Sequence, residues 1–238
     1  MTARRRVASA IAPRRPGRPR GPSQANHLRQ RLIAEASALY AEGGYAGVNL
    51  STVAEKAGLT KATVFHYFDN KEALVYAIFV GLGERLEQAA SNWFDATPKS
   101  HAARLERLVG SLVDFYGNDP LNARILCQGL LERGRLAQLG TEGDIPPVFA
   151  HFVARFAEFV ESGIRAGEFY PDRPMALIMA IGGIILFEFM LPEHARRLSG
   201  RVSLTERKGE MSGLIARTVV RPMTRMSRRS TAPGRPRE

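Results

Sequence analysis

The residues best suited to chemistry in this 238-residue chain crowd into one stretch. Lys61, Thr63, His66, Tyr67 and Lys71 bring cationic and neutral hydrogen-bond donors close together, with Thr60, Ala62 and Phe65 among them. Such a set suits contact with an anionic, acceptor-rich surface better than it suits bond cleavage. The usual catalytic arrangements do not occur. There is no nucleophile with a nearby base, no carboxylate pair, and no GlyXGlyXXGly or GlyLysSer phosphate loop, while five His and one Cys show no metal-ligand spacing. The expectation is a binding protein without metal or cofactor, not an enzyme.

The flanking sequence explains how those side chains are displayed. A short helix reads from Asn49 as cap through Leu50, Val53, Ala54 and Ala57 to Gly58. The next starts at Thr60 and runs through Val64 and Phe68 to Asp69. A long one, capped by Asn70, continues from Lys71 with Leu74, Val75, Ile78, Leu82 and Leu86 on one side. Ala54 and Ala57 let a crossing helix approach, Gly58 permits a left-handed turn, and Val53, Leu59, Val64 and Phe68 close a small core. With Val64 and Phe68 inward at i and i+4, Lys61, Ala62 and Thr63 face outward beside Phe65, His66 and Tyr67. A helix with that face fits the major groove of double-stranded DNA, where Lys donates to guanine N7 and O6 and Thr meets phosphate or a thymine methyl. Lys71 adds charge at a helix N-terminus whose amides favour phosphate. The same spacing also describes a solvent-exposed helical hairpin.

The rest of the chain reads as all-α, without strands. Ser23 is the expected cap of a first helix carrying Leu28, Leu32, Ile33, Ala36, Leu39 and Tyr40, stopped by Gly43 and Gly44. Beyond Pro98, Leu105, Leu108, Val109, Leu112 and Tyr116 form one stripe, and Leu121, Ile125, Leu126 and Leu130 form another after Pro120. A Phe-rich helix over 146–166 closes at Gly167, Asp172 caps an apolar helix from Arg173 to Leu191, and a last helix lies within 204–221. The Phe stripe and the Met175–Leu191 run look apolar on more than one side. That run is seventeen residues with Glu188 inside it, short and charged for a membrane span. A single cysteine, Cys127, excludes an intrachain disulfide and fits the reducing cytoplasm.

Charge divides the chain further. The net +11 resides in the ends, with +7 over residues 1–25 and +6 over 217–238, leaving the body at −2. ProGlyArgProArg occurs at 16–20 and again at 233–237, amid residues with no apolar periodicity. The expected division is a basic arm over 1–22, a helix-turn-helix domain over 23–70, a larger ligand-binding and dimerisation domain over 71–222, and a basic tail over 223–238. The GlyArgPro core resembles an AT-hook, with Pro16 where Arg usually precedes the Gly, so Arg18 and Arg20 are expected to reinforce DNA binding from the minor groove. Solvated chain, or an Arg-rich transit segment, are other readings of the first arm. A sequence-indifferent architectural DNA-binding protein would explain the arms but not the long apolar second domain.

From Gly58 to Leu74, GlyLeuThrLysAlaThrValPheHisTyrPheAspAsnLysGluAlaLeu resembles the signature of the TetR family of transcriptional regulators. The resemblance implies that Asn49, Ser51, Thr52, Thr60, Lys61, Ala62, Thr63, Phe65, Tyr67 and Lys71 cap helices or contact operator DNA. Ala62 stands where Gly is usual. Phe65 stands where the family usually has a Tyr whose hydroxyl reaches phosphate, so Phe65 packs against sugar or turns inward, and Tyr67 offers a hydroxyl from a neighbouring position. The resemblance further implies a repressor that binds a palindromic operator as a homodimer, through the helices at 146–166 and 173–191, and is released by a small-molecule effector held in the second domain. Trp93, Cys127, His151 and Glu188 are the candidate lining residues. Each also has a plainer reading: interhelical packing, a small core hydrophobe, a surface group, and a paired acid at the dimer seam.

Overall fold

The computed structural model describes residues 22–95, 100–132, 147–191 and 204–221. The described elements are α1 (Pro22–Gly47), α2 (Leu50–Lys56), α3 (Lys61–Tyr67), α4 (Lys71–Asp95), α5 (His101–Asn118), α6 (Pro120–Leu131), α7 (Pro147–Arg165), α8 (Pro174–Met190) and α9 (Leu204–Val219). Among the described residues there is no strand, although Phe169 and Val220 form an isolated antiparallel bridge. Both arms, with Arg18 and Arg20, lie outside the described residues.

Local chemistry sets most helix starts. Asn49, Thr60, Asn70, Ser100 and Asp119 each accept a backbone N–H from the following first turn, at 2.7–3.2 Å, satisfying donors that a helix start leaves orphaned. Two expected boundaries move. α1 already begins at Pro22, so Ser23 sits inside its first turn, and the helix breaks at Gly44 (φ 59°, ψ −155°) but resumes to Gly47. Arg173, not Asp172, is the N-cap of α8. Pro174 occupies the first turn, and the Asp172 carboxylate instead accepts the Arg173 amide at 2.7 Å.

A continuous apolar core runs from Leu32 in α1 to Val219 in α9. α1 lies against α4 and α6, while α5 packs on α4, α6, α8 and α9. α7 turns Phe149, Phe152, Phe156 and Phe159 inward and exposes Ala150, His151, Ala154, Glu158 and Glu161. Its apolarity is thus one-sided, contrary to the expectation from its Phe content. α8 is different: Leu177, Ile181, Ile185 and Phe189 are buried, yet Met175, Met179, Phe187 and Met190 remain exposed on its other side. No described helix is long and apolar enough to cross a membrane.

Candidate nucleic-acid interface

The α2–α3 unit is built on a small interior. Val53, Ala57 and Val64 are fully buried, Ala54 and Phe68 nearly so, and Leu59 is packed at the edge. Between the helices Gly58 adopts φ 62°, and the Leu59 amide returns to the Ala54 carbonyl at 2.8 Å. That left-handed residue costs a glycine little and reverses the chain within one step. Val64 and Phe68 inward leave Lys61, Ala62, Phe65 and His66 exposed on the opposite side of α3.

Thr60 and Thr63 are tied together. Thr60 Oγ1 caps the Thr63 amide at 3.2 Å, and the two hydroxyls lie 2.9 Å apart. This fixes the first turn of α3, where Lys61 stands. Phe65 does not turn inward; it is 46% exposed, with Lys61 Nζ 5.8 Å from its ring centre. Tyr67 is half-buried and meets His66 edge-to-face at 5.2 Å. On α2, Asn49 spends its side chain on the Ser51 amide, with Ser51 exposed and Thr52 half-buried.

Lys71 opens α4 with its ammonium 4.1 Å from the centre of the Tyr45 ring. The Tyr45 hydroxyl donates to the Glu72 carboxylate, and that hydrogen bond, followed by backbone amide donation, holds Glu72 below the ordinary carboxylate range. Arg29 of α1 covers Phe68 at 5.2 Å. Neither Tyr45 nor Arg29 stood out in the sequence. Their contacts join different helices, and helical periodicity reports only on neighbours within one helix.

The four effector candidates are dispersed. Trp93 lies on α4, with its side chain outside the described residues. Cys127 is half-buried on α6, where burial pushes its thiol up. His151 is exposed on α7, 3.4 Å from Glu87 of α4. Glu188 is buried on α8 with a carboxylate oxygen 3.9 Å from Arg207 of α9. Of the three whose side chains are described, Cys127, His151 and Glu188, none lines the groove of about 520 Å³ between α5 and α9, or the cleft of about 500 Å³ where Arg85, Ser111, Asp114, Phe115 and Asn122 of α4, α5 and α6 meet.

A tight two-helix turn that displays a short cationic helix, backed by a larger helical body, defines a helix-turn-helix regulator. The family described as "Bacterial regulatory proteins, tetR family" matches residues 32–78, spanning the end of α1 through the start of α4. The chain is 25% identical over 158 residues to the HTH-type transcriptional regulator RutR of Escherichia coli K12, covering 63% of this chain and 68% of RutR. It is 25% identical over 163 residues to the HTH-type transcriptional repressor KstR2 of Mycobacterium tuberculosis H37Rv, covering 65% and 76% of the two chains. The crystal structure of AibR in complex with isovaleryl coenzyme A and operator DNA superposes with TM-score 0.64 at 19% identity, covering 79% of this chain and 97% of AibR. Residues 32–78 thus carry a TetR-family helix-turn-helix region, and the chain as a whole is similar to transcriptional regulators of that family.

Proposed function

We propose that the chain is a repressor that binds a palindromic operator as a homodimer and lets go when a small molecule occupies the helical body. The observation that carries this reading is the outward first turn of α3, with Lys61 and Ala62 exposed over a buried Val64. Residues 23–70 form the reading unit and 71–222 the responding body. Lys61 donates to base edges, and Thr60, Thr63, His66 and Tyr67 flank it. Phe65 packs on sugar or a thymine methyl, Ser51, Thr52 and Lys71 meet phosphates, and Arg18 and Arg20 reach the flanking minor groove. A dimer presents two such units to half-sites one helical turn apart.

The exposed Met175, Met179, Phe187 and Met190 supply the dimer contact, with α7 contributing at its rim. For the effector, the cleft at Arg85 and Asn122 is favoured because it borders α4, which leads directly from the reading unit into the body. A ligand there acts only through different affinities for the DNA-competent and DNA-released states. Glu188 already has a cation beside it, which favours a packing role. Cys127 does not line that cleft, which favours its plainer role as a small half-buried hydrophobe of α6. AibR, solved in complex with isovaleryl coenzyme A and operator DNA, supports binding of both a small molecule and DNA by this fold, and KstR2, an HTH-type transcriptional repressor, supports repression.

Selection of duplexes from a random pool by purified full-length protein tests the proposal. A palindromic consensus, bound far more tightly than unselected duplex, is the expected result. Equal affinity for all duplexes would instead establish sequence-indifferent binding.

A further inference from the structure

The reading unit and the body are joined by a carboxylate. Glu132, at the C-cap of α6, accepts the Tyr40 hydroxyl at 3.0 Å, and both of its oxygens lie 3.0 Å from the Tyr45 amide. Tyr40 and Tyr45 flank the break in α1. Gly44 has φ 59° and ψ −155°, a combination essentially confined to glycine. A Cβ on Gly44 would collide with Glu132 Oε1. The missing side chain makes room for the carboxylate, and the break releases the Tyr45 amide that an unbroken helix would direct at the Ala41 carbonyl. Tyr40 is fully buried, and burial, followed by its hydrogen bond to Glu132, raises its pKa, so it remains a donor.

The connection continues beyond Tyr45. Its hydroxyl binds Glu72 and its ring underlies Lys71, both in the first turn of α4 immediately beyond α3. We propose that Glu132 is a positioning residue that locks the reading unit to the body at the Gly44 break, so that the placement of α6 reaches Lys71 and α3 through Tyr45. This route is separate from movement along α4. Its consequence for DNA rests on the repressor reading; the lock itself does not.

Hydrogen exchange on the full-length protein, combined with affinity for the selected duplex and for copies with one base pair added between half-sites, tests the inference. Glu132→Ala should speed exchange of the Tyr45 amide by roughly tenfold or more, as expected for losing a charge-assisted hydrogen bond. Exchange within α5 and α8 should stay at the wild-type rate. The preference for the native half-site spacing should shrink, because a loosened unit tolerates a displaced groove. A purely structural role would lower affinity for both duplexes equally. Glu132→Gln, which keeps one acceptor, should fall between wild type and Glu132→Ala, and Tyr40→Phe should shift Tyr45 in the same direction if the alanine variant does not fold. Wild-type exchange at Tyr45 in both Glu132→Gln and Tyr40→Phe would overturn the proposal, as would an unchanged spacing preference alongside faster exchange. If the wild-type protein prefers no duplex, the repressor reading fails, and Tyr45 exchange alone judges the lock.

Discussion

The outward faces of α3 and α8 leave very different chemistry in the open. α3 exposes Lys61, Ala62, Phe65 and His66 on a helix of two turns, pinned by the Thr60 cap and the Val64 anchor. α8 exposes Met175, Met179, Phe187 and Met190, with Phe187 68% accessible, on a helix whose opposite face is already buried in the core. The first face exposes one large apolar side chain, Phe65, among polar neighbours, whereas the second exposes four and bears a larger hydrophobic penalty until something covers it. Under the proposed function the contrast matches each face to its own kind of partner. A polar cationic face held rigidly matches an anionic groove of fixed shape, and an adaptable Met-rich face matches another apolar surface, most simply its own copy about a two-fold axis.

The comparison is broken most decisively at α8. Phe187→Glu should convert the protein to a monomer, because a two-fold interface receives the charge twice. At about 3 kcal/mol for each uncompensated buried charge, the dimer dissociation constant should rise by roughly four orders of magnitude. Sedimentation velocity across a dilution series measures this. An unchanged oligomeric state would mean that the α8 face is covered by something other than a second copy.

A smaller change is expected at α3. Lys61→Ala should cost about 2 kcal/mol per half-site in affinity for the selected duplex, with the oligomeric state intact. Titrations at several salt concentrations locate the lost contact. A salt slope lowered by about 1 per half-site marks a phosphate, and an unchanged slope with relaxed sequence preference marks a base edge. Full affinity in the variant would remove α3 from the interface.

Both of these faces were legible in the sequence, whereas other parts of the molecule were not. Asn49, Thr60 and Asn70 are local caps, and Gly58 is a local turn, so each was legible from residues a few positions away. The inward placement of Val64 and Phe68 followed from their spacing. The second apolar face of α8 was legible too, since Met175–Leu191 is apolar at almost every position. For α7 the same reasoning misled: a count of Phe residues ignores that they share one side, with Glu158 and Glu161 on the other. The Glu132 lock left no trace in the pattern. Its partners stand 87 and 92 positions away, and the α1 break that admits it looked like a helix end.

The smallest effect is expected where neither face is involved, and it serves to separate fold from surface. His101, at the start of α5, donates from Nδ1 to Glu168 at 2.8 Å, and its Nε2 lies 3.0 Å from Ser162 Oγ of α7. Glu168 also accepts the Ala102 amide at 3.2 Å. Burial raises the Glu168 pKa, but the hydrogen bonds from His101 and Ala102 outweigh it and leave the carboxyl below its ordinary value of 4.5. A carboxyl whose folded pKa is lowered stabilises the fold above its unfolded pKa, and that contribution disappears as pH falls through the folded value. Glu168→Gln should therefore lower stability by about 1 kcal/mol at pH 7, or roughly 3 °C in melting temperature. The gap from wild type should narrow below pH 4.5 as the native carboxyl takes up its proton. Duplex affinity and dimerisation of the folded variant should match wild type at pH 7. A gap of constant size from pH 7 to pH 3 would show that charge at Glu168 is not what joins α5 to α7.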